Sequence, residues 1–372
     1  MSFKLLHTAD LHLGMTFQSR QYPDQVRQQL VEARYESLEK IVELAFNEAC
    51  DLIIIAGDLF HRINISAEQV SRALDILKKF PGIIAVLPGN HDYYEPHNQL
   101  WKALSELAFE EHYLLTECRP YNLKESGLDL TLYPAPCDSK HSAENRLGWI
   151  RELPEKPQSR WHIGVAHGTI QGVSVDLKDQ YYPMDEKELS AIGLDHWCLG
   201  HTHVPYPNQP KVDEQPFIYS GTPEPDGFDC RHPVGVWITN LDDQGHVYSS
   251  LVETGQFHFS EIHKEISSSN DLLLLRDQIG SNKNNQLVKL KLSGLIPEAD
   301  YEERSLLLNE IRDNLFYLEL DDTNLAIELS PGVISSKYPE GSFPHQLLSK
   351  LAAKDEKDAL QMAYRLIEEV KQ

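Results

Sequence analysis

Three short runs, residues 4–8, 52–56 and 83–87, read as buried strands, and two segments of helical periodicity separate them. In the first segment, residues 25–49, Val26, Leu30, Leu38, Ile41, Val42 and Ala45 fall near one face. Ser66 is placed to cap a second helix that runs to about residue 80. A strand–helix–strand connection brings the chain back in its original direction. The alternation therefore requires parallel or mixed sheet pairing with helical crossovers, which excludes a helical bundle and a simple antiparallel meander. Further strands are expected at residues 128–133, 162–166, 197–200, 217–220, 234–239 and 247–252. Six prolines between Pro205 and Pro225 mark a long shaped loop around the strand at Phe217.

Near residues 255–269 the character changes. Residues 287–292 read as a strand, 302–315 as a helix and 282–285 as a polar turn, which predicts a second, smaller α/β domain. A last amphipathic helix at about 355–370 carries Ala359, Met362, Ala363, Leu366, Ile367 and Val370 at helical spacing. The expected division is 1–258, 259–340 and a C-terminal helical segment, 341–372.

Five loop segments concentrate metal-ligating side chains, and each follows an apolar strand. They are Asp10-Leu11-His12, Gly57-Asp58, Gly89-Asn90-His91-Asp92, His167, and Gly200-His201-Thr202-His203. Ligands in α/β sheets bind outside the carboxyl ends of strands, where loops project several side chains into one crevice. Mixed Asp, Asn and His donors suit manganese or iron, whereas a dedicated zinc site leans on Cys and His. Two carboxylates with this many imidazoles exceed the needs of one ion, so two divalent ions ~3.5–4 Å apart are expected, bridged by one Asp. Such a pair suits phosphoester hydrolysis. Glycines before Asp58, Asn90 and His201 are expected to make tight turns that let the ligands close in.

This ordered set resembles the calcineurin-like metallophosphoesterase superfamily. Within it, Gly57-Asp58-Leu59-Phe60-His61, the opening His7-Thr8-Ala9-Asp10-Leu11-His12-Leu13-Gly14 and the loop Tyr219-Ser220-Gly221-Thr222-Pro223 are similar to SbcD/YhaO-type DNA repair exonuclease subunits. The resemblance covers residues 1–255 and implies an α/β fold, a mixed-sheet sandwich of four layers (αββα), followed by a small C-terminal α/β capping domain. It implies that Asp10, His12, Asp58 and His203 hold one metal and Asp58, Asn90, His167 and His201 the other, with Mn2+ the expected ion. His91 would stabilise the transition state or protonate the leaving oxygen, oriented and made more basic by Asp92; the alternative for Asp92 is a purely structural carboxylate that bonds backbone in the turn. His61 would reach the scissile phosphate or help to place the strand. The implied function is a manganese-dependent DNA nuclease subunit, a homodimer that works with an SbcC-like ABC-type ATPase. The alternatives are a metallophosphoesterase acting on a nucleotide, another small phosphodiester or a phosphoprotein, and a non-enzymatic scaffold for an ATPase.

With 34 Lys plus Arg against 57 Asp plus Glu, the formal net charge is -23. That field opposes autonomous tracking along a DNA backbone, though bound cations reverse the sign locally. No stretch approaches the ~20 apolar residues of a membrane span. The first residues turn polar too early for a signal peptide, and five scattered cysteines form no C-x-x-C pair, so a cytoplasmic protein with reduced thiols is expected. His7 and His196 read as core residues, and His97, His112 and His141 as solvated ones.

Overall fold

The computed structural model describes residues 2–107, 111–174, 180–280, 282–354 and 356–371. They fall into two compact units, Met1–Phe257 and His258–Gln372. The strands of the first unit are β1 (Phe3–Thr8), β2 (Leu52–Ala56), β3 (Ile83–Leu87), β4 (His112–Leu114), β5 (Tyr121–Asn122), β6 (Leu130–Ala135), β7 (Trp161–His167), β8 (His196–Gly200), β9 (Lys211–Asp213), β10 (Phe217–Tyr219), β11 (Gly235–Leu241) and β12 (Val247–Glu253). Its helices are α1 (Asp24–Asn47), α2 (Ala67–Leu77), α3 (Gln99–Leu107), α4 (Gly148–Arg151) and α5 (Glu186–Ile192).

Two sheets result. One has the order β4-β3-β2-β1-β11-β12-β9 and the other β10-β8-β7-β6-β5. From β1 to β4 the pairing is parallel, while β11 closes the other edge of β1 antiparallel. In the second sheet β6, β7, β8 and β10 run parallel.

Side-chain alternation builds the layers. In β1 and β2, Leu6, Ile53 and Ile55 face a core shared with Leu38, Ile41, Val70, Leu74 and Leu100 of α1, α2 and α3. Their neighbours Leu5, Leu52 and Ile54 face the opposite way, against Leu130, Leu132, Ile163, Val165 and Cys198 of the second sheet. The far side of that sheet packs Tyr133, Trp197 and Leu199 on Ile150, Leu189 and Ile192 of α4 and α5. Helix, sheet, sheet, helix is thus the observed order, and fully apolar strands such as Leu-Ile-Ile-Ile-Ala of β2 are buried because both their faces are covered. Ser66 caps α2 as its sequence requires, in a capping box with Gln69.

The second unit holds β13 (His258–Glu265), α6 (Ser269–Ile279), β14 (Asn282–Ile296), α7 (Glu298–Asp313), β15 (Leu315–Ile327), α8 (Pro331–Lys337), α9 (Phe343–Ala353) and α10 (Lys357–Lys371). Its sheet is parallel, β13-β14-β15. The turn expected at 282–285 is instead the start of β14, where the register against β15 shifts between Asn282 and Leu287. Residues 315–327 form a full strand that the hydrophobic pattern does not announce, running through the polar stretch Asp321-Asp322-Thr323-Asn324. As an edge strand, β15 leaves that stretch only partly buried and absorbs its polarity. The start expected for the last helix, Asp355, lies outside the described residues. Among the described residues no helix is long and apolar enough to cross a membrane.

Candidate metal centre

The parallel strands β1, β2 and β3 of one sheet and β7 and β8 of the other each end in a loop bearing ligand-type side chains. The first two loops are laced together, because Asp10 N donates to Gly57 O (3.2 Å), His12 N to Asp58 O (3.0 Å) and Leu13 N to Leu59 O (2.9 Å). The lacing holds an uncommon backbone. Asp10, His12, Asp58 and His201 sit at φ 55°, 48°, 53° and 99°. A non-glycine residue in this region costs of order ~1–3 kcal/mol and persists only where its surroundings over-determine it.

Glycines admit the ligands in two ways. Gly57 needs its left-handed turn (φ 94°), whereas Gly89 and Gly200 act by lacking a side chain, a correction to the expectation of tight turns at all three. A Cβ on Gly89 would lie 2.1 Å from Asp58 Oδ1, and one on Gly200 would lie 2.1 Å from Ala56 O and 2.8 Å from His167 Nδ1.

The seven side chains meet in two overlapping groups. In one, Asp10, His12 and His203 bring ligand atoms within 4.8 Å of one another, and His12 Nε2 approaches His203 Nε2 to 3.1 Å. In the other, Asn90 Oδ1 lies 3.0 Å from His167 Nε2 and 3.0 Å from His201 Nδ1. Asp58 stands between them, with Oδ2 3.8 Å from His12 Nε2 and 3.4 Å from His167 Nε2, while its Oδ1 accepts from His91 N (2.8 Å). Asp10 also joins Asp58 and His167 in a group of the same tightness, and accepts from His201 N (3.0 Å).

Asp10, His12, Asp58, Asn90 and His167 are at most 2% exposed, so their lone pairs converge where water cannot satisfy them. Two imidazole nitrogens facing each other at 3.1 Å can share either a proton or a cation. This donor set fits hard to borderline divalent cations.

Electrostatics separates the two carboxylates. Burial raises Asp10 to about 6 despite the charges of His167 and His203. Burial also pushes Asp58 up, but the charge and hydrogen bond of His167 outweigh it and hold Asp58 below the usual carboxylate range. Burial alone would lower His167 and His203; Asp58 lifts the first to about 9, and the hydrogen bond to Asp226 together with Asp10 lifts the second to about 9. His12 and His201 are lowered by burial, His201 to about 3. Cations must therefore displace protons from His167 and His203, and binding strengthens as pH rises.

At the rim, His91 Nδ1 donates to His61 O (3.0 Å), and the rings of His61 and His91 stack at 5.2 Å and 28°. Asp92 is not what orients His91. Its Oδ1 accepts from Gly89 N (2.7 Å) and its Oδ2 from Phe60 N (3.0 Å), so it ties the β2 and β3 loops together as a buried structural carboxyl. Burial and the charge of Asp58 raise it to about 7. His7 and His196 are core residues. His112 is no solvated histidine: it lies in β4, where burial lowers it to about 4.

Sequence reasoning missed Asp226, whose Oδ2 lies 3.1 Å from His203 Nδ1, and Arg34, a buried arginine of α1 whose Nη1 donates to Leu11 O (2.7 Å). Helical spacing could have flagged Arg34 as a charge on the buried face of α1. Asp226 has no such signal beyond its place after the proline-rich loop.

Comparison with known proteins agrees with this geometry. The family model for calcineurin-like phosphoesterases (Metallophos) matches residues 3–205. This family uses a dimetal centre. The chain is 27% identical over 206 residues to "Uncharacterized metallophosphoesterase YhaO" of Bacillus subtilis (strain 168), covering 53% of this chain and 48% of that protein. It is 27% identical over 274 residues to "DNA double-strand break repair protein Mre11" of Methanopyrus kandleri, covering 67% of this chain and 56% of the relative. The protein of the same name from Saccharolobus solfataricus is 30% identical over 216 residues, 54% of this chain and 49% of the relative. The chain thus spans about half the length of the curated relatives it matches.

Proposed function

The chain belongs to the calcineurin-like phosphoesterase family, and from that premise we propose that it is a manganese-dependent DNA nuclease subunit that hydrolyses phosphodiester bonds in DNA repair or end processing. The observation that carries the reading is the meeting of seven ligand side chains from two sheets in one buried cluster, with His91 at its rim. The relatives named for double-strand break repair favour DNA over a small phosphodiester. Asp10, His12, Asp58 and His203 hold one cation and Asp58, Asn90, His167 and His201 the other. Two bound cations supply the positive charge that offsets charge building on a phosphate during displacement.

The chain's own groups do the rest. Donation from His91 Nδ1 to the His61 carbonyl sets the ring and leaves Nε2 as the atom available to the phosphate or the leaving oxygen. His61, stacked on that ring, limits its rotation. Asp92 keeps the two loops in register from below. The proposal includes a homodimer, a reducing cytoplasmic setting for five free cysteines, and an SbcC-like ABC-type ATPase. With a net charge of -23, a partner is the natural source of a cationic track for DNA. Residues 258–372 would then restrict which ends reach the cations.

The test is a cleavage assay with manganese on labelled single- and double-stranded DNA, beside a small aryl phosphodiester. Asp58→Asn should abolish cleavage and cation binding. His91→Ala should keep both cations and lower turnover ~10²–10⁴-fold. Normal DNA cleavage by both variants would overturn the assignment, and ester hydrolysis with DNA untouched would move it to a small phosphodiester.

A further inference from the structure

The loop after β10 contributes no ligand to the proposed centre, yet it is tied to that centre at successive residues. Thr222 N donates to His203 O (3.0 Å), and the Thr222 hydroxyl lies 3.1 Å from Asp10 O and 2.8 Å from Glu224 O. Thr254 Oγ1 donates to Pro223 O (2.7 Å), and the Glu224 carboxylate accepts from Gln256 N (2.7 Å) and Phe257 N (2.9 Å). Thr222 and Glu224 are buried. This anchored strap ends in Asp226, beyond the matched residues 3–205, with its Oδ2 3.1 Å from His203 Nδ1.

An imidazole that donates through Nδ1 presents Nε2 as its lone pair once a cation has displaced the second proton. In His203 that Nε2 faces His12 Nε2 at 3.1 Å. The other candidate ligand histidines are backed differently. His167 Nδ1 meets the Ala56 carbonyl (2.9 Å) and His12 Nδ1 lies 3.4 Å from His61 Nδ1, while His201 turns Nδ1 itself toward the candidate ligand Asn90 Oδ1 (3.0 Å). A carboxylate behind an imidazole raises its basicity and fixes its orientation more strongly than a carbonyl does. Behind Asp226 stands Arg34, whose Nε and Nη2 are buried without a hydrogen-bond partner among the described residues and whose charge acts on Asp226 more than on any other carboxylate.

We infer that Asp226 is a positioning residue: it fixes the ring of His203 with Nε2 toward His12, and so makes the Asp10–His12–His203 position the tighter of the two cation sites. The inference rests on the two-cation reading above. It makes the two sites unequal and assigns the inequality to a side chain that touches neither substrate nor cation.

The test titrates chelator-free full-length protein with Mn2+ by calorimetry, for the wild type, Asp226→Asn and Asp226→Ala. The wild type should take two ions of unequal affinity. Asp226→Ala should weaken the tighter site ~10–100-fold and leave the weaker one unchanged, while Asp226→Asn, which keeps an acceptor without the charge, should fall between. Nitrogen NMR of the metal-free protein above pH about 9, where His203 is neutral, gives a readout independent of activity: the ring should hold its proton on Nδ1 in the wild type and in Asp226→Asn, and mix tautomers in Asp226→Ala. Two wild-type ions with unchanged affinities and tautomer in both variants would overturn the role of Asp226 and leave the proposed centre standing. A wild type that binds no cation would overturn both.

Discussion

The two units treat charge in opposite ways. All the polar and charged residues that the described structure buries lie between His7 and Thr254, among them Asp10, His12, Arg34, Asp58, Asp92, His167, His196 and Glu224. The buried clusters of the second unit are one of Ile266, Leu272, Leu275, Val288, Leu290 and Ile311 and one of Leu329, Ile334, Tyr338, Leu348 and Leu360, with ion pairs such as Lys337–Glu298 (2.7 Å) left partly in water. Non-glycine residues with left-handed backbone are likewise confined to the first unit among the described residues. The first unit thus carries, inside its core, features that destabilise a fold unless every partner is present, and the second carries ordinary packing. Chemistry explains the difference: cation binding needs carboxylates and imidazoles held out of water before the ions arrive.

Adding one methyl group should break or confirm that contrast most sharply. Gly89→Ala forces a Cβ to 2.4 Å from Asp58 N and closer still to Asp58 Oδ1, so stability should fall by ~1–3 kcal/mol and any divalent-cation binding should be lost. Gly332→Ala, in the first turn of α8 with nothing nearer than Ser330 Oγ at 3.8 Å, should instead gain ~0.4–1 kcal/mol. Calorimetric melting of the two variants, with a metal titration beside it, reads both signs. Equal effects would mean that the site has slack that its geometry denies.

Acid should come next. His196 and His7 are buried and held neutral, His196 at about 4 by burial and His7 at about 3 by burial and the charge of His196. Their folded values lie below the unfolded one, so the unfolded chain binds the extra protons. The contribution of these two histidines to stability is then flat above pH ~6.5, falls from there through about 4 and 3, and levels off below. Each tenfold difference in proton affinity between the folded and unfolded chain contributes ~1.4 kcal/mol to that fall. Urea unfolding at stepped pH should give this slope, and His196→Leu should flatten it; an unchanged slope would remove these histidines as its source.

The smallest effect belongs to the second unit. Lys337→Met, which opens the pair with Glu298, should change unfolding free energy by less than ~1 kcal/mol, and by still less at high salt. A larger loss would show that this unit also depends on a specific charge.

The same contrast explains what could be read from sequence. Ligand residues stood out because each follows an apolar run, and that local order survives folding: His167 closes β7, and His201 follows β8 directly. Asp92 admits an orienting and a structural reading because adjacency to His91 is a fact about the chain, whereas the hydrogen bonds to Gly89 and Phe60 that favour the structural one are facts about loop geometry. Asp226 was missed because its partner lies across a proline-rich loop with no periodicity to follow. In the second unit β15 was hidden by its own edge position, since a partly exposed strand tolerates the acidic run that elsewhere marks a turn.

The position of β1 in its sheet also sets a timetable. Its residues leave the ribosome before those of β11, which pairs with it from Phe3↔Leu241 to His7↔Trp237 and is made more than two hundred residues later, as is Thr222, which holds Asp10 O. A nascent chain that stops short of that stretch has one open edge on β1 and no clasp on the Asp10 loop. The geometry around the Asp10 loop is thereby completed only when the first unit is nearly whole.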